Sequence, residues 1–247
     1  MTNNKNKIII FSGAGLSAES GISTFRDTNG LWENHKIDEI CNEYTWRKNF
    51  NKVHQFYNDR RKQLKDVEPN EAHKTIKRLY DKFSDDLIII TQNVDDLLER
   101  TGIPKDKIIH LHGFLPEMQC TSCNNIWNVK YENFDSTIDS CPNCGSVNLV
   151  KPNIVFFNGA APEYAKLYDC LDYLETQGSY LVVVGTNGNV VTIDNLTKRI
   201  PKERKILNNL EKSEYIKERN FGQIFYEPAG TALPKIEKFL IENFKAK

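Results

Sequence analysis

The sequence has no excess of charge of either sign and no long apolar run. Its 33 lysine and arginine residues match 33 aspartate and glutamate residues, which argues against the broad electrostatic attraction that nucleic-acid and membrane-surface proteins need. No apolar run approaches the roughly 20 residues of a membrane span, and the amino end, MTNNKNK followed by IIIF, is too short and polar for a secretory signal. We therefore expect a cytoplasmic protein without nucleic-acid or membrane partners; a local basic pocket is still allowed.

Cysteine is also scarce, with six residues in a chain of 247, too few for a disulfide scaffold. Four of them form two C-x-x-C pairs separated by seventeen residues, Cys120 and Cys123 followed by Cys141 and Cys144. Four thiolates at this spacing favour one structural Zn²⁺ per chain, because a closed four-sulfur site leaves no position open for water. Two disulfides or four free thiols are the alternatives. Cys41 and Cys170 stand alone, and we expect packed core thiols there.

Short apolar runs at 8–11, 87–90 and 181–184 predict buried parallel strands. Helical patterns at 71–82 and 163–175 lie between them, as βαβ units require. Each run ends in a polar or glycine-rich loop, and ligands of open parallel sheets bind at that edge. The sequence thus predicts an α/β fold whose loops share one site.

Two further stretches predict insertions into this sheet. Residues 31–66 carry aromatic and charged residues at helical spacing, which indicates a helical insertion. Residues 116–148 lack long apolar periodicity and hold the four paired cysteines, which indicates a metal-held insertion.

Three segments carry candidate chemistry. Gly13 to Gly21 follows the first strand, where glycines let backbone amides approach a pyrophosphate and a helix start adds its dipole; an ordinary strand-to-helix turn is the alternative. Residues 91–96, Thr-Gln-Asn-Val-Asp-Asp, place amide and carboxylate groups at a strand end, although a helix cap explains them equally. His110 and His112 stand on the same side of an extended segment, where one could act as a general base or both could be structural.

Taken in this order, the segments resemble the sirtuin family of NAD-dependent protein-lysine deacylases. The resemblance extends over nearly the whole chain and is carried by Gly13-Ala14-Gly15-x-Ser17, Gly21-Ile22, Phe25-Arg26, Thr91-Gln92-Asn93-Val94-Asp95, His110-x-His112-Gly113, the paired C-x-x-C motifs and Gly185-Thr186.

The resemblance implies a Rossmann-like parallel-sheet large domain made of residues 1–30, 72–115 and 149–247. The helical insertion, 31–71, and a zinc ribbon, 116–148, would form a small domain. NAD and the acylated lysine of a protein or peptide would meet in the cleft between the two domains of a monomer.

The resemblance also implies residue roles. His112 matches the catalytic base, with His110 as its neighbour, and Asn93 and Asp95 match the pair that holds the nicotinamide carboxamide. The residues expected to contact NAD are Gly13, Ala14, Gly15, Ser17, Phe25, Arg26, Trp32, Gln92, Asn93, Asp95, Gly185, Thr186, Asn187, Asn209, Glu211 and Ala229. The acyl oxygen would attack C1′ of the nicotinamide ribose, and the products would be nicotinamide, free lysine and acyl-ADP-ribose.

The pair Tyr57-x-x-Arg60 resembles the residues that recognise acidic acyl chains in the succinyl- and malonyl-lysine-removing branch of the family. Three residues apart on a helix means one face, and the planar arginine fork suits a carboxylate. A solvated helix face is the alternative, but the nearby Gly30-Leu31-Trp32-Glu33-x-His35 also resembles this bacterial branch. Cys41 falls at the wall of the acyl pocket, where alanine is common.

The chain departs from the family pattern at several positions. Phe157-Asn158-Gly159 stands where Phe-Gly-Glu is usual, Asn187 and Thr192 replace a serine and a proline, and Leu98 replaces a histidine. Because most of these changes fall on the two edges that clamp the peptide, we expect intact NAD chemistry and altered peptide docking. An NAD glycohydrolase or ADP-ribosyltransferase, and a non-catalytic NAD- or ADP-ribose-binding module, are the competing functions.

Overall fold

The computed structural model describes residues 5–23, 31–32 and 35–246. Its strands are β1 (Ile8–Ser12), β2 (Leu31–Trp32), β3 (His35–Lys36), β4 (Leu87–Thr91), β5 (Ile108–His110), β6 (Gly113–Cys120), β7 (Ile126–Asn128), β8 (Val150–Ile154), β9 (Tyr180–Val184), β10 (Lys205–Asn209) and β11 (Gln223–Tyr226). Its α-helices are α1 (Ile37–Ile40), α2 (Phe50–Lys65), α3 (Glu71–Phe83), α4 (Leu97–Arg100), α5 (Tyr164–Leu171), α6 (Ile193–Leu196) and α7 (Ala229–Asn243).

Six strands form a parallel sheet in the order β11-β10-β9-β1-β4-β5. The apolar runs predicted as strands are confirmed as β1, β4 and β9, each of which is central in this sheet. Successive side chains of a strand point to opposite faces, so Ile8 and Ile10 of β1 pack in the layer that contains α3 and α7. Ile9 and Phe11 pack in the opposite layer, with Leu167 of α5. Both faces are therefore covered, as in Rossmann-like sheets.

Helix α3 confirms the helical pattern predicted over residues 71–82. Its first turn is capped by Asn70, whose Oδ1 accepts from the backbone N–H groups of Ala72 and His73. His73 Nδ1 accepts in turn from the Asn70 N–H, 3.3 Å away. The pattern over 163–175 is likewise helical, as α5 followed by a 3₁₀ turn over Asp172–Glu175.

A second, three-stranded sheet, β7-β6-β8, carries the cysteines. It extends on both sides of the predicted insertion 116–148, because β6 begins at Gly113 and β8 ends at Ile154. Around it Met118, Phe134 and Val150 form a small core with Cys120 and Cys141. The stretch 31–66 is helical over α1 and α2, but it also contains the β2–β3 ribbon, which the helical pattern did not predict.

Helix α2 has two faces with different partners. Tyr57, Arg60 and Leu64 face a cavity. His54, Asn58 and Arg61, which we call the α2 polar seam, are buried against the cysteine-bearing segment. This position corrects the alternative of a solvated helix face around Arg60, because the neighbouring Arg61 has no exposed surface.

Side-chain-to-backbone hydrogen bonds hold the seam together. Asn58 donates to the Phe134 carbonyl and accepts from the Phe134 N–H, each at 3.0 Å, and its Oδ1 also accepts from Arg61. Arg61 Nε donates to the Glu132 carbonyl at 3.2 Å, and His54 Nε2 lies 3.1 Å from the Val150 carbonyl. Burial lowers the pKa of Arg61 to about 10, so the guanidinium remains charged at neutral pH.

We predict that Asn58→Leu lowers the free energy of unfolding by about 2–4 kcal/mol, because it leaves a buried N–H and a buried guanidinium without their acceptor. Urea denaturation followed by circular dichroism measures the change. Asp59→Ala, on the exposed side of the same helix, is the matched control and should change stability by less than about 0.5 kcal/mol. Equal effects of the two variants would contradict a structural role for the seam.

Candidate active site

The register of the parallel sheet places several strand ends level with one another. Ser12 of β1 pairs with Thr91 of β4 on one side and with Val184 of β9 on the other. Thr91 pairs in turn with His110, and Val184 with Asn208. After β1 the chain adds β4 and β5 on one side of it and then β9, β10 and β11 on the other. The carboxyl edge beside β1 is therefore the topological switch point, where such folds bind ligands.

A cavity of about 930 Å³ opens at this edge. It extends from the loops of the parallel sheet to helix α2 and to the segment after β8. The predicted site residues that line it are Gly13, Ala14, Gly15, Ser17, Tyr57, Arg60, Gln92, Asn93, Asp95, His112, Gly185, Thr186, Asn187, Asn209, Glu211 and Ala229. Phe25, Arg26 and the side chain of Trp32 lie outside the described residues.

The Ser17 hydroxyl is the centre of a buried polar cluster. It donates to Asp95 Oδ2 at 2.8 Å and accepts from Asn93 Nδ2 at 3.0 Å. Burial raises the pKa of Asp95, and the hydrogen bonds from Ser17 and from the Leu97 N–H oppose that rise. The motif residues of two different loops are thus joined into one unit.

His73 completes the cluster and was not predicted from the sequence. Since its Nδ1 accepts from Asn70, Nε2 carries the proton and points at Ser17 Oγ, 3.4 Å away. Burial lowers the pKa of His73 to about 3, which keeps the ring neutral. The available signal was an asparagine three residues before a histidine at a helix start, a variant of the capping box.

The glycine loop does not lead into the helix start expected after it. It forms two 3₁₀ turns, Ala14–Leu16 and Ala18–Ser20, rather than the start of an α-helix. The backbone N–H groups of Gly13 and Gly15 donate to the carbonyls of Val184 and Gly185, both at 2.9 Å, so these two amides are already paired within the protein. A Cβ on Gly15 would lie 2.6 Å from the Gly185 Cα, which means that glycine here lets the β1 and β9 loops pack together.

Thr186 is clamped at the adenosine end of the predicted site. Its backbone N–H donates to Asn209 Oδ1 and its carbonyl accepts from Asn209 Nδ2, both at 3.0 Å. Its hydroxyl accepts from Gln92 Nε2 at 2.9 Å. Asn209 and Gln92 therefore shape the loop in addition to lining the cavity.

The prediction that His110 and His112 share one side of an extended segment is wrong, because the chain turns at residues 111–112. His110 is turned away from His112, with Nε2 2.7 Å from Glu99 Oε1 and Nδ1 2.9 Å from the Asn93 carbonyl. Burial alone would lower the pKa of His110, but the hydrogen bond and charge of Glu99 raise it above its usual value.

His112 faces the cavity. Its Nδ1 lies 3.1 Å from the Gln92 carbonyl and its Nε2 lies 3.0 Å from the hydroxyl of Tyr164. Burial lowers the pKa of His112, and the Gln92 carbonyl partly opposes that effect. The adjacent Gly113 has φ +93°, and a Cβ there would lie 2.1 Å from the Asn153 carbonyl oxygen, so only glycine allows the turn that aims the ring.

Part of the sequence that departs from the family pattern lines the same cavity. The lining includes Phe157, Gly159 and Asn187, but neither Leu98 nor Thr192. Asn158 has φ +65°, and asparagine is among the non-glycine residues that most readily adopt this region. Residue 158 thus has a left-handed backbone conformation that the glycine of the family pattern would also adopt readily.

The four paired cysteines fit a zinc ion. Their Sγ atoms all lie within 4.8 Å of one another, and the Cys120–Cys144 and Cys123–Cys141 pairs are 3.6 Å apart. Zn–S bonds of about 2.3 Å predict tetrahedron edges of about 3.8 Å, whereas a disulfide would require about 2.05 Å. Cys120, Cys123, Cys141 and Cys144 would hold the ion in a closed structural site.

The profile of the Sir2 family matches residues 13–192. The chain belongs to the Sir2 family. Among its relatives is an NAD-dependent protein deacylase of Campylobacter jejuni, 47% identical over 237 residues and covering 96% of each chain. Another of that name, from Helicobacter hepaticus, is 42% identical over 257 residues, which cover 96% of this chain and 98% of the relative.

Solved Sir2 structures agree with this membership. A mutant Sir2 homologue bound to ADP-ribose superimposes with a TM-score of 0.82 at 29% identity, covering 98% of this chain and 94% of the other. A Sir2 homologue in complex with NAD gives a TM-score of 0.79 at 30% identity, covering 96% and 90%. Sir2 membership confirms the predicted enzyme class and the Rossmann-like sheet.

Among the described residues, none of the helices has the length and apolar character of a membrane span.

We predict that the purified Sir2 protein contains one zinc ion per chain and that Cys141→Ser loses it. Loss should lower the melting temperature, because the small core around Cys120 and Cys141 depends on the ion to close it. Elemental analysis and calorimetry measure both effects. Cys170→Ser, which changes a half-buried thiol outside the cluster, is the control; loss of zinc in this variant, or full zinc content in Cys141→Ser, would contradict the assignment.

Proposed function

We propose that this Sir2 protein is an NAD-dependent protein-lysine deacylase that prefers acidic acyl groups such as succinyl and malonyl. The observation that supports the preference is the position of Tyr57 and Arg60 in the same cavity as Asn93, Asp95 and His112. A positive charge and a phenol thus lie within one continuous space with the groups that the family resemblance assigns to NAD chemistry.

The cavity suggests an orientation for NAD. We propose that the adenosine part lies near Thr186, Asn187, Glu211 and Ala229, where the β9 and β10 loops meet the start of α7. The nicotinamide then lies near the Ser17 cluster, with its carboxamide held by Asn93 and Asp95. This direction leaves the α2 end of the cavity for the acylated lysine.

In the proposed reaction, the acyl oxygen attacks C1′ of the nicotinamide ribose, and the glycosidic bond to nicotinamide breaks. His112 then accepts a proton from a ribose hydroxyl, which attacks the acyl carbon. Water completes the release of free lysine and acyl-ADP-ribose. The lowered pKa of His112 keeps the base neutral at neutral pH, and a positioned base of this kind contributes on the order of 10²–10⁴-fold.

The acyl end of the cavity combines a polar tip with apolar walls. Tyr57 is buried beside Cys41 and stacks on Phe156, with ring centroids 6.0 Å apart. Burial raises the pKa of Tyr57, and the charge and hydrogen bond of the Cys41 thiol raise it further. The phenol therefore keeps its proton and can donate to a carboxylate. The Arg60 guanidinium lies 5.4 Å from the centre of the Phe56 ring, which helps to hold it over the helix.

We also propose the two-part organisation implied by the family. The insertion that contains α2 and the cysteine-bearing sheet would form a small domain, joined by the α2 polar seam. In support, Asn58 and Arg61 of the seam hydrogen-bond to the backbone of Phe134 and Glu132, which lie between the two cysteine pairs. The α2 residues that meet the substrate would then belong to the small domain.

The acyl preference predicts that Arg60→Met reduces kcat/KM for a succinyl-lysine peptide by about 10- to 100-fold, because a charge-assisted hydrogen bond contributes about 1.5–3 kcal/mol. Deacetylation by the same variant should change by less than about threefold. The measurement is NAD-dependent product formation on succinyl-, malonyl- and acetyl-lysine versions of one peptide.

Lys62→Met is the matched control, since Lys62 is an exposed cation on the same helix and does not line the cavity. It should leave all three activities unchanged. Equal losses of desuccinylation and deacetylation in Arg60→Met would refute recognition of the acyl carboxylate, while leaving deacylation itself in place.

A second candidate is NAD glycohydrolysis or ADP-ribosyl transfer, and it is favoured by the backbone of Phe157. Its N–H donates to the Cys41 carbonyl and its own carbonyl accepts from the Glu43 N–H, both at 3.0 Å, so its N–H is not available to an added peptide strand. Mass spectrometry separates the two: acyl-ADP-ribose indicates deacylation, whereas free or protein-bound ADP-ribose indicates the alternative. NAD binding without nicotinamide release would indicate a binding module.

A further inference from the structure

Tyr164 makes a direct contact with the proposed base. It is the first residue of α5 and lines the cavity, and its hydroxyl lies 3.0 Å from His112 Nε2. The two rings are nearly parallel, with an interplanar angle of 30° and centroids 6.1 Å apart. Neither the sequence patterns nor the family resemblance assigns a role to this tyrosine.

The hydrogen-bond partners determine which atom donates. A carbonyl oxygen can only accept, so His112 Nδ1 must carry the proton that it donates to Gln92. In the neutral ring Nε2 is therefore the unprotonated nitrogen, with a single in-plane lone pair. Tyr164 consequently donates its hydroxyl proton to the one atom of His112 that can act as a base.

A base with an occupied lone pair cannot accept another proton. We propose that Tyr164 caps His112 in the NAD-free enzyme and that a ribose hydroxyl of NAD must displace the phenol before His112 can act. Tyr164 is thus a positioning residue that holds the ring whose tautomer the Gln92 carbonyl fixes, and its displacement costs NAD part of its affinity. The inference rests on the proposed role of His112 as the base.

The surroundings of Tyr164 are compatible with this exchange. Its side chain is half-buried and faces the cavity, so the phenol can move into open space. Burial raises the pKa of Tyr164, and the group therefore stays a neutral donor at physiological pH. A displaced phenol could bond to water at the cavity mouth.

Other titratable groups of this region do not control the contact. Asp95 and Glu99 act on His110, and Tyr168 is the neighbouring titratable group on α5. Burial and the Gln92 carbonyl are the influences that set the direction of the His112 shift. Removal of the Tyr164 hydroxyl therefore changes one hydrogen bond without changing a charge.

Tyr164→Phe tests the cap by NMR. A donor to the neutral ring opposes protonation, so its removal should raise the pKa of His112 in the free protein. With saturating ADP-ribose, which brings its own ribose hydroxyls, the two proteins should titrate alike. The chain has five histidines, and the His112 signal is assigned by its loss in His112→Asn.

Kinetics provide an independent readout. Tyr164→Phe should lower KM for NAD by about two- to tenfold, the value of one neutral hydrogen bond, with kcat unchanged. Tyr168→Phe, which changes an exposed tyrosine one turn later on α5, is the matched control and should leave KM and the His112 titration unaltered. Tyr164→Leu also lacks the hydroxyl. It should therefore change KM for NAD and the pKa of His112 in the same direction as Tyr164→Phe.

An unchanged His112 titration in Tyr164→Phe would overturn the cap, as would a loss of kcat at constant KM, which would make the phenol a participant in the reaction. The titration needs no turnover, so it remains informative even if His112→Asn keeps full activity. That last result would refute the proposed base and leave the hydrogen-bond assignment standing.

Discussion

The level alignment of the strand ends is the constraint on which the site depends. Because β1, β4 and β9 are paired in parallel register, the residues after Ser12, Thr91 and Val184 meet at one edge of the sheet. The strand pairing, and not contacts between the loops, brings them together. A slip by one residue would also turn Ile8 and Ile10 to the wrong layer of the core. The hydrophobic burial that sets the register thereby sets the positions of the polar loops.

Helix α2 lies at the other end of the cavity, where we propose that the acyl group binds. Its position is set by contacts on both faces, with Trp46 and Phe156 in the shared core and the α2 polar seam against the cysteine-bearing segment. A helix held on two sides presents Tyr57 and Arg60 at fixed depth. Zinc held by the four cysteines would stabilise the segment against which the seam packs, and through the seam the proposed acyl pocket.

Much of this arrangement could be predicted from the sequence, and the remainder has physical reasons for being hidden. Buried strands and paired cysteines have local patterns, so β1, β4, β9 and the four-sulfur cluster were predicted at the right residues. His73 and Tyr164 were not, because each lies on a helix far along the chain from its partner and acquires its role only through tertiary packing. The β2–β3 ribbon, with two residues in each strand, is too short to show a period.

The glycine loop shows why a correct motif can still mislead about contacts. We expected its backbone N–H groups to be available to a pyrophosphate, yet those of Gly13 and Gly15 donate to carbonyl groups at the end of β9. Buried polar groups need partners, and several groups of this site find them in one another: Ser17 in Asp95, Gln92 in Thr186, and His112 in Tyr164. NAD that binds to these groups would replace such hydrogen bonds with equivalent ones. Such exchange favours a ligand that offers hydroxyl and amide groups at matching positions over one that merely fills the space.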